Sequence, residues 1–343
     1  MGASVPGPWV RRPISITLVT VLALTCVVVA IPALLLSAAA DVITRTPRLR
    51  RTRLSALICA FVLVDFAGMV LVALVWLTAP LGINIKGART QRWYRWVMTW
   101  WTSAIMWSIR RIVPLPFDTS ELDPALLAGN AIVIGRHRSL LDAVLPATLF
   151  GKRGLTVMYT LKEDLRWEPN IDLVGHRMTH RFVTRNPQDL EAELQPIRDL
   201  AAELDAERVA VIFPEGTFFN EERKARVVAS LEVRDPERVD AARSMAYVLA
   251  PRPAGTMALL DGSPDADVIM LGHVGFEPFG SRREIVRNIG AQHPIRLRAW
   301  RYPRREIPED PEARIDWLFE RWLEMDEWIA SHHPLGRARN VEV

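Results

Sequence analysis

The sequence predicts a mixed α/β fold, a sheet covered by helices and preceded by an N-terminal apolar helical hairpin. Three observations predict it. Residues 14–40 and 54–82 are nearly continuous apolar runs. From Asn130 onward, short apolar runs of strand length alternate with amphipathic stretches of helix length, the pattern of a sheet with helices on its faces. No internal repeat or low-complexity tract breaks that alternation.

The chain has 343 residues, half of them hydrophobic, enough for one α/β domain and a membrane segment. The formal charge is +4 and Arg greatly outnumbers Lys. Such a surface suits anionic lipid headgroups or phosphorylated substrates. It would also suit nucleic acid, but no zinc-finger spacing, basic-region heptad or RNA-binding signature is present, so no nucleic-acid partner is expected. Cys26 and Cys59 both lie inside the apolar runs and form no framework for the remainder.

The first run, Ile14 to Ala40, exceeds the roughly 20 apolar residues that cross a bilayer core. A cleaved signal peptide is the competing reading, with Arg11 and Arg12 as its basic start and Ala38-Ala39-Ala40 as a cleavage site. The run is longer than the roughly 7–15 residues of a signal core. Five arginines between Arg45 and Arg53 follow it at once, which disfavours translocation. The second run, Leu54 to Gly82, is interrupted by Asp65 and Gly68. A carboxylate at that depth usually faces protein or water. The Arg-rich loop between the runs and the cluster Lys86, Arg89, Arg92 and Arg95 after them both favour the cytoplasm. A helical hairpin that dips into one leaflet and returns keeps both on that side, and is favoured over two true spans.

Trp93, Trp96, Trp100, Trp101 and Trp107, ending at Arg110-Arg111, suit the headgroup level. They read as an interfacial helix, although packing of some Trp side chains into the core is equally compatible. Residues 1–112 are thus expected to form a membrane anchor and 113–343 the α/β domain. Within the latter, Ala131–Gly135 reads as a buried strand and Ser139–Phe150 as the helix after it. Leu155–Tyr159, Arg181–Thr184, Val209–Phe213 and Asp267–Phe276 read as further strands, and Arg296–Trp300 as an outer one. Pro187–Leu204 and Asp310–His332 read as helices.

Three short segments at or just after strand ends carry the chemistry. His137 and Asp142 follow the first strand. On one helix, five positions would separate their side chains by about 140°. They meet only if His137 sits in the loop and Asp142 in the first helical turns. Asp142 then accepts Nδ1–H of His137 and leaves Nε2 as a base, with a substrate hydroxyl as nucleophile. Phe213-Pro214-Glu215-Gly216-Thr217 closes another strand. There Gly216 permits close backbone approach, and free N–H groups of a turn or helix start form an anion site. Glu215 is a candidate to hold a glycerol hydroxyl. Arg185 stands just past a short strand, where an Arg fork matches a phosphate. Each segment alone is compatible with a solvated loop residue; their order and placement point to one site.

Together they resemble the glycerolipid acyltransferase family, the 1-acylglycerol-3-phosphate and lysophospholipid acyltransferases. The family's H-x4-D block is matched by His137 and Asp142, its strand ending in Arg by Phe182-Val183-Thr184-Arg185, and its F-P-E-G-T block by 213–217. Leu161-Lys162-Glu163, with Pro169 and Gly175, looks like the family's segment between its first two blocks, and Lys224-Ala225-Arg226, Tyr247 to Arg252 with Gly255, and the helix around Arg321-Trp322 are similar to the lysocardiolipin acyltransferase-like branch. Two positions depart from the pattern. Thr179 stands where Gly is usual, and Phe218 where many relatives carry Arg.

The resemblance implies transfer of a fatty acyl group from acyl-CoA, as co-substrate, to a hydroxyl of 1-acylglycerol-3-phosphate or another lysophospholipid. It implies His137 and Asp142 as the catalytic pair. Glu215, Gly216, Thr217, Arg185 and Lys162 would bind substrate, with no metal and no resident cofactor. The expected location is a membrane rich in anionic lipid, with the site facing the cytoplasm. The competing reading is a non-catalytic lipid-binding or lipid-transfer protein on the same scaffold.

Overall fold

A computed structural model describes residues 5–79, 87–113, 115–184, 189–280, 282–289 and 294–333. In chain order the elements begin with helices α1 (Pro8–Ile43), α2 (Arg50–Thr78) and α3 (Ala88–Ile112). Then come β1 (Phe117–Glu121), β2 (Ala131–Gly135), α4 (Leu141–Gly151), β3 (Thr156–Lys162), α5 (Pro169–Gly175) and β4 (Arg181–Val183). Next are α6 (Leu190–Ala201), β5 (Arg208–Ile212), α7 (Glu221–Arg234), α8 (Val239–Ser244) and α9 (Pro253–Gly262). Last are β6 (Asp267–Val274), α10 (Arg282–Asn288), β7 (Ile295–Tyr302) and α11 (Pro311–His332). The chain forms two compact units, one of 1–115, 144–188 and 286–292, the other of 116–143, 189–285 and 293–343. In the first of these, two later segments pack with the N-terminal helices.

In the first unit, α1 and α2 pack on each other across the turn Thr44–Leu49, and α2 packs on α3. Asp41 near the end of α1 accepts from the Thr52 amide and hydroxyl, both at 2.9 Å, which satisfies orphan donors at the start of α2. The Arg53 guanidinium donates to the Ile112 carbonyl. α1 leaves Leu18, Leu24, Val28, Ile31 and Leu36 exposed. α2 instead buries one stripe: Asp65, Gly68, Met69, Val72 and Val75. Asp65 faces protein, as its cost in lipid requires: its Oδ1 accepts from Asn170 Nδ2 of α5 at 2.6 Å. Arg11 and Arg12 both donate to Asp172 of α5 at 2.7 Å. β3 and β4 pair in parallel.

The two apolar N-terminal helices are present as a hairpin. α2 is one uninterrupted helix of 29 residues, about 43 Å long and sufficient for a core of about 30 Å. Its start carries the Arg-rich turn, and the second basic cluster lies beyond its other end on α3. Lys86 lies outside the described residues. A tip bearing Arg45 and Arg48 is costly to sink into lipid, which is why the hairpin's turn coincides with a basic segment.

The second unit holds a mixed sheet in the order β1-β7-β6-β2-β5. β5, β2 and β6 run parallel, β7 runs antiparallel to β6, and β1 runs parallel to β7. β2 is buried along its whole length, as expected of an apolar strand covered on both faces. β7 is not the outer strand that its sequence suggested. It alternates buried Ile295, Leu297 and Ala299 with half-buried Arg296 and Arg298, so the charges mimic an edge. The edge is β1, whose FDTSE sequence contains no apolar run to announce it. Asp189, Asn220 and Asp310 cap α6, α7 and α11 through the Ala192, Arg223 and Ala313 amides, each sparing an orphan N–H at a helix start.

Candidate active site

Strand register assembles the site. In the parallel ladder Ile134 of β2 stands opposite Ile212 of β5. His137 and Glu215 each follow three residues later, so both emerge at the same level of the carboxyl edge. On the other side Gly135 stands opposite Leu271 of β6, which brings His273 to the same level two residues on. Carboxyl ends of parallel strands are where open α/β sheets bind ligands.

His137 lies in the loop after β2 and Asp142 is the second residue of α4, the loop-plus-helix geometry that their spacing required. Nδ1 of His137 is 3.5 Å from Asp142 Oδ2, somewhat longer than a formed hydrogen bond. Asp142 is buried and heavily solvated by protein. Its Oδ2 accepts from the Arg138 amide and, at 2.6 Å, from the Ser139 amide. Its Oδ1 accepts from Ser139 Oγ at 2.8 Å and lies 3.1 Å from His273 Nε2. Burial would raise this carboxyl, but the charge of His273 and the contacts of both histidines outweigh it and hold Asp142 well below the ordinary carboxylate range. The His137 ring stacks on Phe213 at 4.8 Å and meets Phe218 at 4.5 Å, so aromatic rings flank the imidazole.

Glu215 is 1% exposed and is committed to main-chain donors. Oε1 accepts from the His137 amide at 2.7 Å, and Oε2 from the Leu249 amide at 3.0 Å. It fastens the His137 loop to segment 246–249. Burial pushes its carboxyl up to about 8, against the pull of both amides and of Arg136. Gly216 has φ +64°, a left-handed conformation that favours glycine, and its amide donates to the Phe213 carbonyl at 3.0 Å. The Arg252 side chain lies beside it, 3.7 Å from where a Cβ would stand. Thr217 follows, half-buried.

Segment 246–249 is itself held from below. Asp326 of α11 accepts from the amides of Ala246, Tyr247 and Val248 at 2.7, 2.6 and 3.0 Å. Trp322 Nε1 donates to the Leu249 carbonyl at 2.9 Å. Buried Arg136 donates to the His273 carbonyl, Glu277 and the Tyr247 carbonyl at 2.7, 2.6 and 3.0 Å. The β2 exit, the β6 exit and segment 246–249 thus form one hydrogen-bonded frame around His137.

The structure therefore brings His137, Asp142, Glu215 and Gly216 together. Lys162 ends β3 in the other unit, opposite Val183, and Arg185 lies outside the described residues. Two residues that the sequence did not single out join the site: His273, a lone histidine in an apolar strand, and Arg252.

Residues 117–250 match the family model named Acyltransferase. A mouse 1-acyl-sn-glycerol-3-phosphate acyltransferase epsilon is 25% identical over 207 residues, covering 56% of this chain and 55% of that protein. The chain thus spans about half the length of this curated relative. The crystal structure of the 1-acyl-sn-glycerophosphate acyltransferase from Thermotoga maritima is similar at 12% identity with a TM-score of 0.48, covering 78% of this chain and 96% of that one. The segment that matches the Acyltransferase family model contains His137, Asp142 and the 213–217 turn.

Proposed function

We propose that the chain is a membrane-anchored O-acyltransferase that moves a fatty acyl group from acyl-CoA to a hydroxyl of 1-acylglycerol-3-phosphate or a related lysophospholipid. The observation that carries this reading is the His137–Asp142 pair, held by Glu215 at the carboxyl edge of β2 inside the family-matching segment. Nε2 of His137 takes the proton of the acceptor hydroxyl as its oxygen attacks the thioester carbonyl carbon. The tetrahedral adduct collapses, the C–S bond breaks, and the leaving thiolate takes the proton back from the imidazolium. Asp142 stabilises that imidazolium, and the 3.5 Å contact shortens as charge develops. General-base help of this kind is worth about 10²–10⁴-fold.

Phe213 and Phe218 line the base with apolar surface and limit access of water to the acyl carbon. Glu215 acts by placing the His137 backbone rather than by gripping the acceptor. Arg252, beside Gly216, supplies a guanidinium for the acceptor's phosphate, and Lys162 and Arg185 are further candidates for that role. α1 and α2 anchor the chain in the bilayer by their length and apolar surface. The Arg-rich turn, with Arg110 and Arg111 brought near it by the Arg53–Ile112 contact, faces the cytoplasmic headgroups, where anionic lipid attracts it.

The test is transfer from radiolabelled acyl-CoA to a panel of lysophospholipids by the purified full chain in lipid nanodiscs, with His137→Ala beside wild type. Acyl product from wild type and none from the variant is expected. Wild-type turnover by His137→Ala would remove the mechanism, and acceptor binding with no thioester cleavage would favour a lipid-transfer protein.

A further inference from the structure

Asp142 has two histidine neighbours, and the proposed reaction uses only one of them. His273 is fixed by β6, whose register brings it level with His137. Its carbonyl is clamped by Arg136 at 2.7 Å, and its ring lies 5.0 Å from Phe276. The side chain is 1% exposed, so it neither meets substrate nor exchanges protons readily with solvent. The charged groups facing it are Asp142 from α4, Arg136 from the end of β2 and Glu277 from the turn after β6. Neither ring nitrogen makes an aligned hydrogen bond among the described residues; the ring's nearest charged neighbour is Asp142, whose Oδ1 lies 3.1 Å from Nε2.

A buried imidazole is expensive to keep for packing alone, since an apolar side chain of similar size fills the space without a polar cost. Here the geometry gives it a task. The two oxygens of Asp142 are divided: Oδ1 takes the Ser139 hydroxyl and His273, and Oδ2 takes two amides and faces His137. We infer that His273 is a positioning residue, whose Nε2–H fixes the Asp142 carboxylate plane and draws off part of its charge so that Oδ2 orients His137 without over-stabilising its protonated form. This inference rests on the acyl-transfer reading above. The logic is that of any hydrogen-bonded polar chain, in which a donor to one end weakens the acceptor at the other.

Removing that donor leaves Asp142 a stronger acceptor towards His137. The base is then held more tightly in its protonated, inactive form, and activity fails at a higher pH than before. The experiment compares wild type, His273→Leu and His273→Gln in nanodiscs. It reads kcat, KM for the acceptor, the acidic limb of the kcat/KM profile and the melting temperature, with His137→Ala as reference. A contact with a charged carboxylate is worth about 1.5–3 kcal/mol in full, and the part of it passed on to His137 is expected to lower kcat by roughly three- to tenfold in His273→Leu. The same loss moves the acidic limb upward by about 0.4–1 pH unit, with KM within about twofold of wild type. His273→Gln, whose amide nitrogen reaches a position close to that of Nε2, is expected to restore both the rate and the limb.

If both variants melt lower by similar amounts while the limb stays in place, His273 only fills space and the inference falls. It falls likewise if Gln fails as Leu does. The underlying reading has its own control. If His137→Ala turns over like wild type, acyl transfer by this site is wrong. If His137→Ala is inactive and His273→Leu matches wild type in rate and profile, only the positioning role is lost.

Discussion

Glu215→Gln separates two roles for the glutamate of the 213–217 turn. Glu215 offers one oxygen to the His137 amide and the other to the Leu249 amide. Gln keeps one acceptor and turns an N–H toward the second amide. Leaving a buried donor unmet costs about 1–3 kcal/mol, or roughly 2–12 °C of melting temperature for a domain of this size. The deficit depends on pH. Because burial pushes the Glu215 carboxyl up to about 8 from 4.5, the folded chain keeps this proton where the unfolded chain releases it. The stability due to Glu215 is therefore complete below pH 4.5 and declines as pH rises through about 8. Across that window the loss is on the order of 5 kcal/mol at most. Gln does not titrate. The variant is thus expected to melt below wild type near pH 5, with the gap closing and then reversing toward pH 8. Differential scanning fluorimetry in nanodiscs at half-unit pH steps reads this directly. Kinetics complete the assay: a fastener of the His137 loop lowers kcat with acceptor KM unchanged, whereas an acceptor ligand raises KM. Parallel melting curves at every pH together with wild-type kcat would refute the reasoning.

Other perturbations reach different parts of the frame. Asp326→Asn removes acceptor capacity from three amides and is expected to lower the melting temperature by roughly 4–10 °C, with kcat falling at temperatures where the chain is still folded; unchanged kcat there would detach α11 from the site. Arg252→Ala is expected to raise KM about ten- to a hundredfold for acceptors bearing a phosphate, and little for an uncharged monoacylglycerol; an equal rise for both would point to lost packing. Phe218→Ala opens one wall of His137, so thioester hydrolysis without any acceptor should increase, as measured by free-thiol release. Asn170→Leu strips Asp65 of its amide donor and is expected to lower the melting temperature through loss of about 1–3 kcal/mol, with acceptor KM unaltered.

Much of this was legible in the sequence because it follows from local rules. Continuous apolar runs gave β2, β5 and β6, and a five-residue spacing forced His137 into a loop and Asp142 into a helix. What escaped depends on partners far along the chain. β1 has no apolar signature because it is an edge strand, and Arg296 and Arg298 disguised β7 as one. His273 reaches Asp142 only through the parallel register of β2 and β6, which no single segment encodes. The fastening role of Glu215 was hidden because the amide that meets its second oxygen belongs to Leu249, 34 residues away. The second apolar run is interrupted by Asp65 and Gly68, and the partner of that polar group, Asn170, lies more than a hundred residues along the chain.

The attachment of segment 246–249 to α11 also sets an order of events during synthesis. Ala246 waits for Asp326, 80 residues downstream, before its amide is satisfied, and Leu249 waits for Trp322. At about 5–20 residues per second this delay is roughly 4–16 s. Throughout it the N-terminal helices are already made, while the loop that carries His137 lacks its support. The frame around His137 therefore closes only after α11 has been made.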